Sequence, residues 1–127
     1  MPGKNLFEYA VIRVVPRVER EEFLNVGVIL YCKDLKFLGT RYMLNEERLK
    51  ALCKDLDCDE VKEHLKSFER ICSGNKDGGP IALLDLPSRF RWLTATRSTV
   101  IQTSKVHSGF CEAADVKLQE LFEQLVL

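Results

Sequence analysis

The sequence predicts an α+β domain, built as a two-layer sandwich: a mainly antiparallel sheet of about five strands, with three helices on one face. Three observations lead there. Up to Tyr42 the chain alternates β-rich apolar runs with short charged or turn segments. From Leu44 to Cys72 the apolar period changes from about two to about 3.6. The rest returns to short β-rich runs and closes on an amphipathic stretch. The 127 residues fit a single domain over 1–127. A chain with 46% hydrophobic and 30% charged residues can fold at this size without staples.

Residues 7–15, FEYAVIRVV, are β-branched and aromatic, and both faces look apolar, so this reads as a central strand. Pro16 cannot donate to a ladder and ends it. Arg17-Val18-Glu19-Arg20-Glu21-Glu22 is a charged connection. Residues 24–32 and 36–42 form the next two strands, with Lys33-Asp34 as the turn between them. Asn45 caps a helix that runs to about Lys54, with Glu46 and Glu47 at its positive end. Leu44 and Leu49 stand at staple positions. A second helix starts near Asp57 to Asp59. Its stripe Val61, Leu65, Phe68 and Cys72 steps by four, three and four, and Ser73-Gly74-Asn75 stops it. Residues 76–80 are a loop, and 81–86 read equally as a short helix or a strand. Residues 89–96 and 99–104 read as two strands, with Arg97-Ser98 as the turn of a hairpin. Glu112 or Asp115 begins a last helix with Leu118, Leu121, Phe122 and Leu125 on its core face.

Lys+Arg and Asp+Glu both number 19, so global charge gives no push toward nucleic acid or anionic lipid. Any anion binding must be local. No stretch approaches the roughly 20 apolar residues of a membrane span. Met1-Pro2-Gly3-Lys4-Asn5 lacks the apolar core of a signal peptide, so the expected location is cytoplasmic. The cysteines number five and read as small hydrophobes in a reducing compartment.

Four features could carry chemistry. Arg13 lies inside an apolar strand and needs either a carboxylate, for which Glu19, Glu21 and Glu22 are near in sequence, or a polar cleft. Asn25 and Gly27 share a face by period two, making room for a ligand or for a packed Trp92 or Phe ring. Residues 88–110 hold Arg89, Arg91, Arg97 and Lys105 and no acid, among many hydroxyls. Arginine forks suit phosphate, and Phe90 or Trp92 offers a stacking face; the bland alternative is a solvated hairpin paired with the acids that follow it. His107 stands near Ser104 and Cys111, yet no nucleophile-elbow glycines accompany it. Cys53, Cys58, His64 and Cys72 lack a Cys-x2-Cys knuckle, and no phosphate loop is present, so neither a metal nor a cofactor is expected.

The block from Tyr9 to Phe23 (YAVIRVVPRVEREEF), followed by Asn25-Val-Gly-Val-Ile29, resembles the bacterial family known as domain of unknown function 3037. So does the block from Arg89 to Ser104 (RFRWLTATRSTVIQTS), followed by Val106-His107 and the closing helix. The resemblance covers nearly the whole chain. It implies a small bacterial domain without an assigned activity, with a kinase-like toxin protein encoded nearby as an expected partner. The family's signature residues fall on Arg13, Arg17, Glu19, Arg20, Glu22, Asn25 and Gly27. In the second block they fall on Arg89, Trp92, Arg97, Ser98, Gln102, Ser104 and His107.

The expected function is a non-catalytic accessory or binding domain. Its basic hairpin and polar cleft would accept an anionic ligand, a nucleic-acid backbone or a partner protein through Arg13, Arg17, Arg20, Asn25, Arg89, Arg91, Arg97, Ser98, Gln102, Ser104 and His107. The alternative is an enzyme acting on a phosphate-containing substrate, with Glu19 or Glu22 as base and His107 as acid. A third reading is a structural or assembly role, marked by an open strand edge or an apolar patch. Oligomeric state is open at this level.

Overall fold

The structure, a computed structural model, describes residues 4–97 and 99–127. The opening strand β1 (Asn5–Val14) is the centre of the sheet, as its two-sided apolar pattern requires. On one side it pairs antiparallel with β2 (Leu24–Cys32), which pairs in turn with β3 (Phe37–Tyr42). On its other side β1 carries two short strands in line. β4 (Ile101–Thr103) takes Ile12 to Val14, and β5 (His107–Cys111) takes Asn5 to Tyr9. All five strands are therefore antiparallel to their neighbours.

Four α-helices complete the fold: α1 (Glu46–Leu52), α2 (Cys58–Ser73), α3 (Leu86–Leu93) and α4 (Ala114–Leu125). The side chain of Asn45 accepts from the Arg48 amide to start α1. Asp57 accepts from the amides of Asp59 and Glu60 to start α2, and Gly74 closes that helix in the left-handed conformation. Ala10, Ile12 and Val14 of β1 join Ile29 and Tyr31 of β2 on one face. Against them lie Leu49 of α1, Val61, Leu65 and Phe68 of α2, and Phe90 and Leu93 of α3. Phe7, Val28, Leu30 and Cys32 turn to the opposite face, where Leu118, Leu121 and Phe122 of α4 cover them. The expected α+β class holds. Of the three helices expected on one face, α1 and α2 lie there, joined by α3, which stands where a strand was expected; the closing helix lies behind the sheet and adds a third layer with its own smaller core.

Local assignments change in the second half. Residues 89–96, expected as a strand of a basic hairpin, belong mostly to α3. Asp85 accepts from the Ser88 amide, Pro87 sits in the first turn, and Leu86, Phe90 and Leu93 form a helical stripe stepping by four and three. The ambiguous 81–86 resolves into a 3-10 turn, Pro80–Leu83, followed by that cap. Of 99–104 only Ile101–Thr103 is strand. The fifth strand is β5, in a segment to which the sequence analysis assigns no element. The last helix begins at Ala114, between the two expected starts.

A β-bulge shapes the sheet where β1 meets β2. Ile12 faces Gly27 and Arg13 faces Asn25, which leaves Val26 as the extra residue. Because Ile12 and Arg13 point to opposite faces, so do Gly27 and Asn25, contrary to the period-two expectation. Nor does Trp92 or a Phe ring fill the space at Gly27. The backbone of β3 comes close instead, and a Cβ there would lie 2.6 Å from the Arg41 carbonyl oxygen. Among the described residues no helix is long and apolar enough to cross a membrane.

Candidate functional site

The bulge at Val26 sets up a polar row. Asn25 on β2, Arg13 on β1 and Gln102 on β4 are neighbours in register across three strands. The row lies on the α4 side of the sheet, beside the end of α4 at Leu125, and all three of its residues are half-buried. The connection after β1 wraps the open end. It makes a 3-10 turn, Val18–Arg20, that Glu21 closes in the left-handed conformation at φ 56°. That backbone is uncommon for a residue with a Cβ and costs of order 1 kcal/mol. The result is a cleft of about 290 Å³ lined by Arg13, Val15, Val18, Glu21, Phe23 and Gln102.

Hydrogen bonding in this row is one-sided. Asn25 donates its Nδ2 to the Leu125 carbonyl at 3.3 Å. That oxygen can only accept, so the amide is pinned with its Oδ1 pointing away. Gln102 donates its Nε2 to the Thr99 carbonyl at 3.0 Å and is pinned the same way. The guanidinium carbon of Arg13 lies 4.1 Å from the Phe23 ring centroid, a cation–π contact. Arg13 has none of the carboxylate partners expected from Glu19, Glu21 or Glu22; among the described residues it joins no ion pair. Its Nε and the Oδ1 of Asn25 are both buried without a hydrogen-bond partner. Each such group costs about 1–3 kcal/mol while unmatched.

The other candidates lie elsewhere. Arg17, Arg20 and Glu22 line a separate hollow of about 240 Å³ with Pro16, Cys53 and Lys54 beyond the end of α1, and Arg20 pairs there with Glu22. Glu19 is exposed on the 3-10 turn. His107 stands opposite Tyr9, with ring centroids 5.3 Å apart. Tyr9 is four residues up β1 from Arg13, roughly 13 Å along the strand. Glu19 and Glu22 lie past the other end of β1, so the carboxylates and His107 do not share a pocket.

None of the later arginines reaches the cleft. Arg89 tucks against the C-terminal cap of α2, donating to the Leu84 carbonyl at 2.8 Å, with its Nε buried and unmatched. Arg91 borders a hollow with Leu6, Glu8, Tyr31 and Pro87. Arg97 stacks on Trp92 at 4.1 Å and donates to the Trp92 carbonyl; its partial burial lowers its pKa from the ordinary arginine value. Phe90 is no stacking platform, because its ring is buried against Tyr31. Ser98 lies outside the described residues. Cys53, Cys58, His64 and Cys72 do not gather: among the described residues no three acidic, cysteine or histidine side chains are placed to hold a metal. Burial pushes the Cys72 thiol up to about 12.

Ser104 has a structural task. It sits between β4 and β5, where the ladder along β1 is interrupted. The Val11 amide donates to its Oγ at 2.8 Å, and the Ser104 amide donates to the Val11 carbonyl at 2.8 Å. Ser104→Ala therefore leaves the buried Val11 N–H without an acceptor. A loss of about 1–3 kcal/mol is expected in urea unfolding.

Sequence reasoning missed Phe23, Val15 and Val18 as members of the cleft, and offered Glu21 only as an ion-pair partner for Arg13. Phe23 gave one signal: it is an aromatic residue ending a charged run, and it is 46% exposed. A family model described as "Protein of unknown function (DUF3037)" matches residues 9–126. The chain belongs to this family. No curated protein and no solved structure matches it. The match spans the whole polar row, Arg13 and Asn25 early in the chain and Gln102 late in it.

Proposed function

We propose that this DUF3037 chain is a non-catalytic binding domain whose ligand enters the cleft at Arg13. One observation carries the reading: the Arg13 Nε and the Asn25 Oδ1, on paired strands, are buried and unmatched. Folded proteins leave few such groups without cause. One is a donor and the other an acceptor. A ligand that brings an acceptor and a donor together, as a peptide group does, satisfies both once the two side chains turn toward the cleft, since neither atom is open to solvent in the free chain. A simple anion offers only acceptors. It would serve Arg13, leave Asn25 unmatched, and meet the carboxylate of Glu21 in the same cleft. The favoured ligand is therefore a polypeptide segment of a partner protein, docked beside Phe23, which supplies an apolar wall.

The test is Arg13→Met, which keeps length and removes charge and donor. If Arg13 serves a ligand, stability should stay within about 1 kcal/mol of wild type, because an unmatched buried group is lost along with one cation–π contact. Partner affinity should fall about 100-fold, the scale of a lost charge-assisted, buried contact. Proteins captured from the native host would be compared between wild type and this variant by mass spectrometry. Arg91→Ala with Arg97→Ala serves as the control, since neither side chain lines the cleft. A folded Arg13→Met chain that retains every wild-type partner sinks the reading.

A further inference from the structure

The two edges of the sheet are guarded differently. β3, at one edge, carries the exposed Arg41. β5, at the other, pairs only with β1 among the described residues. Its residues His107, Ser108, Gly109, Phe110 and Cys111 include no lysine, arginine, acid or proline. An exposed edge without such guards is a template for another strand. Apolar surface lies beside it. Phe110 is 61% exposed, and Leu6, directly opposite on β1, is 50% exposed. Exposed apolar residues are ordinary singly, but a facing pair at a free edge forms a patch. The strand itself carries no charge, although Glu8 stands opposite Ser108 on β1 and the paired Lys117 and Glu120 of α4 share a hollow with Phe110. Lys105 precedes the strand and Glu112 follows it; both are exposed, and among the described residues neither joins an ion pair.

We infer that β5 pairs antiparallel with β5 of a second copy of this chain, about a two-fold axis at Gly109. Gly109 is the midpoint of the strand. Such a pairing sets Phe110 of each copy across from Ser108 of the other, so the two Phe110 rings become diagonal neighbours on one face, within aromatic reach. It brings the Lys105 end of each copy to the Glu112 end of the other. The charges match twice, as a self-complementary two-fold contact demands. The product is a continuous sheet across both copies, and the inference is independent of the Arg13 cleft.

Sedimentation velocity on the wild-type chain, from micromolar to millimolar concentration, should show a monomer–dimer equilibrium. Phe110→Lys should abolish the dimer. Lys105→Glu and Glu112→Lys should each weaken it about tenfold, by replacing two attractions with two repulsions. The double swap, Lys105→Glu with Glu112→Lys, should restore it. These side chains are exposed, and circular dichroism confirms that each variant is folded. A chain that stays monomeric throughout overturns the proposal and leaves the edge to a strand of a different protein. A dimer indifferent to Phe110→Lys, or one that the double swap fails to restore, overturns it as well.

Discussion

Gly27→Ala is expected to destabilise the chain by about 3 kcal/mol and to lower the melting temperature by about 10 °C. The cause is contact rather than backbone freedom. A Cβ at this position would lie 2.6 Å from the Arg41 carbonyl oxygen and 2.7 Å from the Tyr42 Cβ. Both are fixed to the β3 backbone, which faces Gly27 in register. No flexible side-chain tip can swing aside, so β2 and β3 must separate locally. The neighbouring Met43 amide, which donates to the Val26 carbonyl at 2.8 Å, would be strained as well. That strain falls on the bulge that aligns Asn25 with Arg13, so partner binding should weaken along with stability. Gly79→Ala is the contrast. Its φ is positive at 83°, but nothing lies within 4 Å of an added Cβ, so only conformational strain is felt. Urea unfolding of both variants separates the two costs. A Gly27→Ala chain as stable as wild type would contradict the close approach of β3.

Phe90→Ala is expected to cost about 3–5 kcal/mol, whereas Trp92→Ala should cost under about 1 kcal/mol. Phe90 is 1% exposed and packs on Tyr31, with ring centroids 5.5 Å apart. Trp92 is 40% exposed and stacks on Arg97. The ratio distinguishes the helix from the strand suggested by the local pattern. In a strand, residues 90 and 92 share a face and would be buried or exposed together. In a helix, Phe90 goes with Leu86 and Leu93, and Trp92 turns away. Leu93→Ala should therefore resemble Phe90→Ala. Chemical denaturation of the three alanine variants reads this directly, and equal losses at 90 and 92 would restore the strand.

The first half of the fold was legible because its signals are local. β1, β2 and β3 stand where their β-branched runs and turns place them. Asn45, Asp57 and Gly74 act as helix caps because short-range hydrogen bonds decide such positions. In Arg89-Phe90-Arg91-Trp92 a charged–aromatic alternation imitates a strand, and it outweighed the cap at Asp85 and the Leu86, Phe90, Leu93 stripe. β5 was illegible for a different reason. His107-Ser108-Gly109-Phe110-Cys111 has little strand propensity of its own, and pairing with β1 makes it a strand.

Part of the polar row was visible too. Arg13 stood out inside an apolar strand, Asn25 through its place beside Gly27, and Gln102 only as one of many polar residues in the acid-free segment. Their meeting was not visible, since it depends on the extra residue at Val26 and on β4 lying next to β1. Phe23 and Glu21 join only through the fold of the connecting turn.

The position of β1 also dictates a timetable. Of the five described strands, the earliest in the chain is the one that needs partners on both flanks, and one of those flanks is supplied from far downstream: Val11 binds a residue 93 positions later. During synthesis β1, β2 and β3 can assemble with the early helices, while the other side of β1 stays bare until β5 has emerged. Contacts of such long range slow the search for the native state. A nascent chain stalled before Ser104 should thus be the most adhesive form of this protein, and the one most dependent on chaperones.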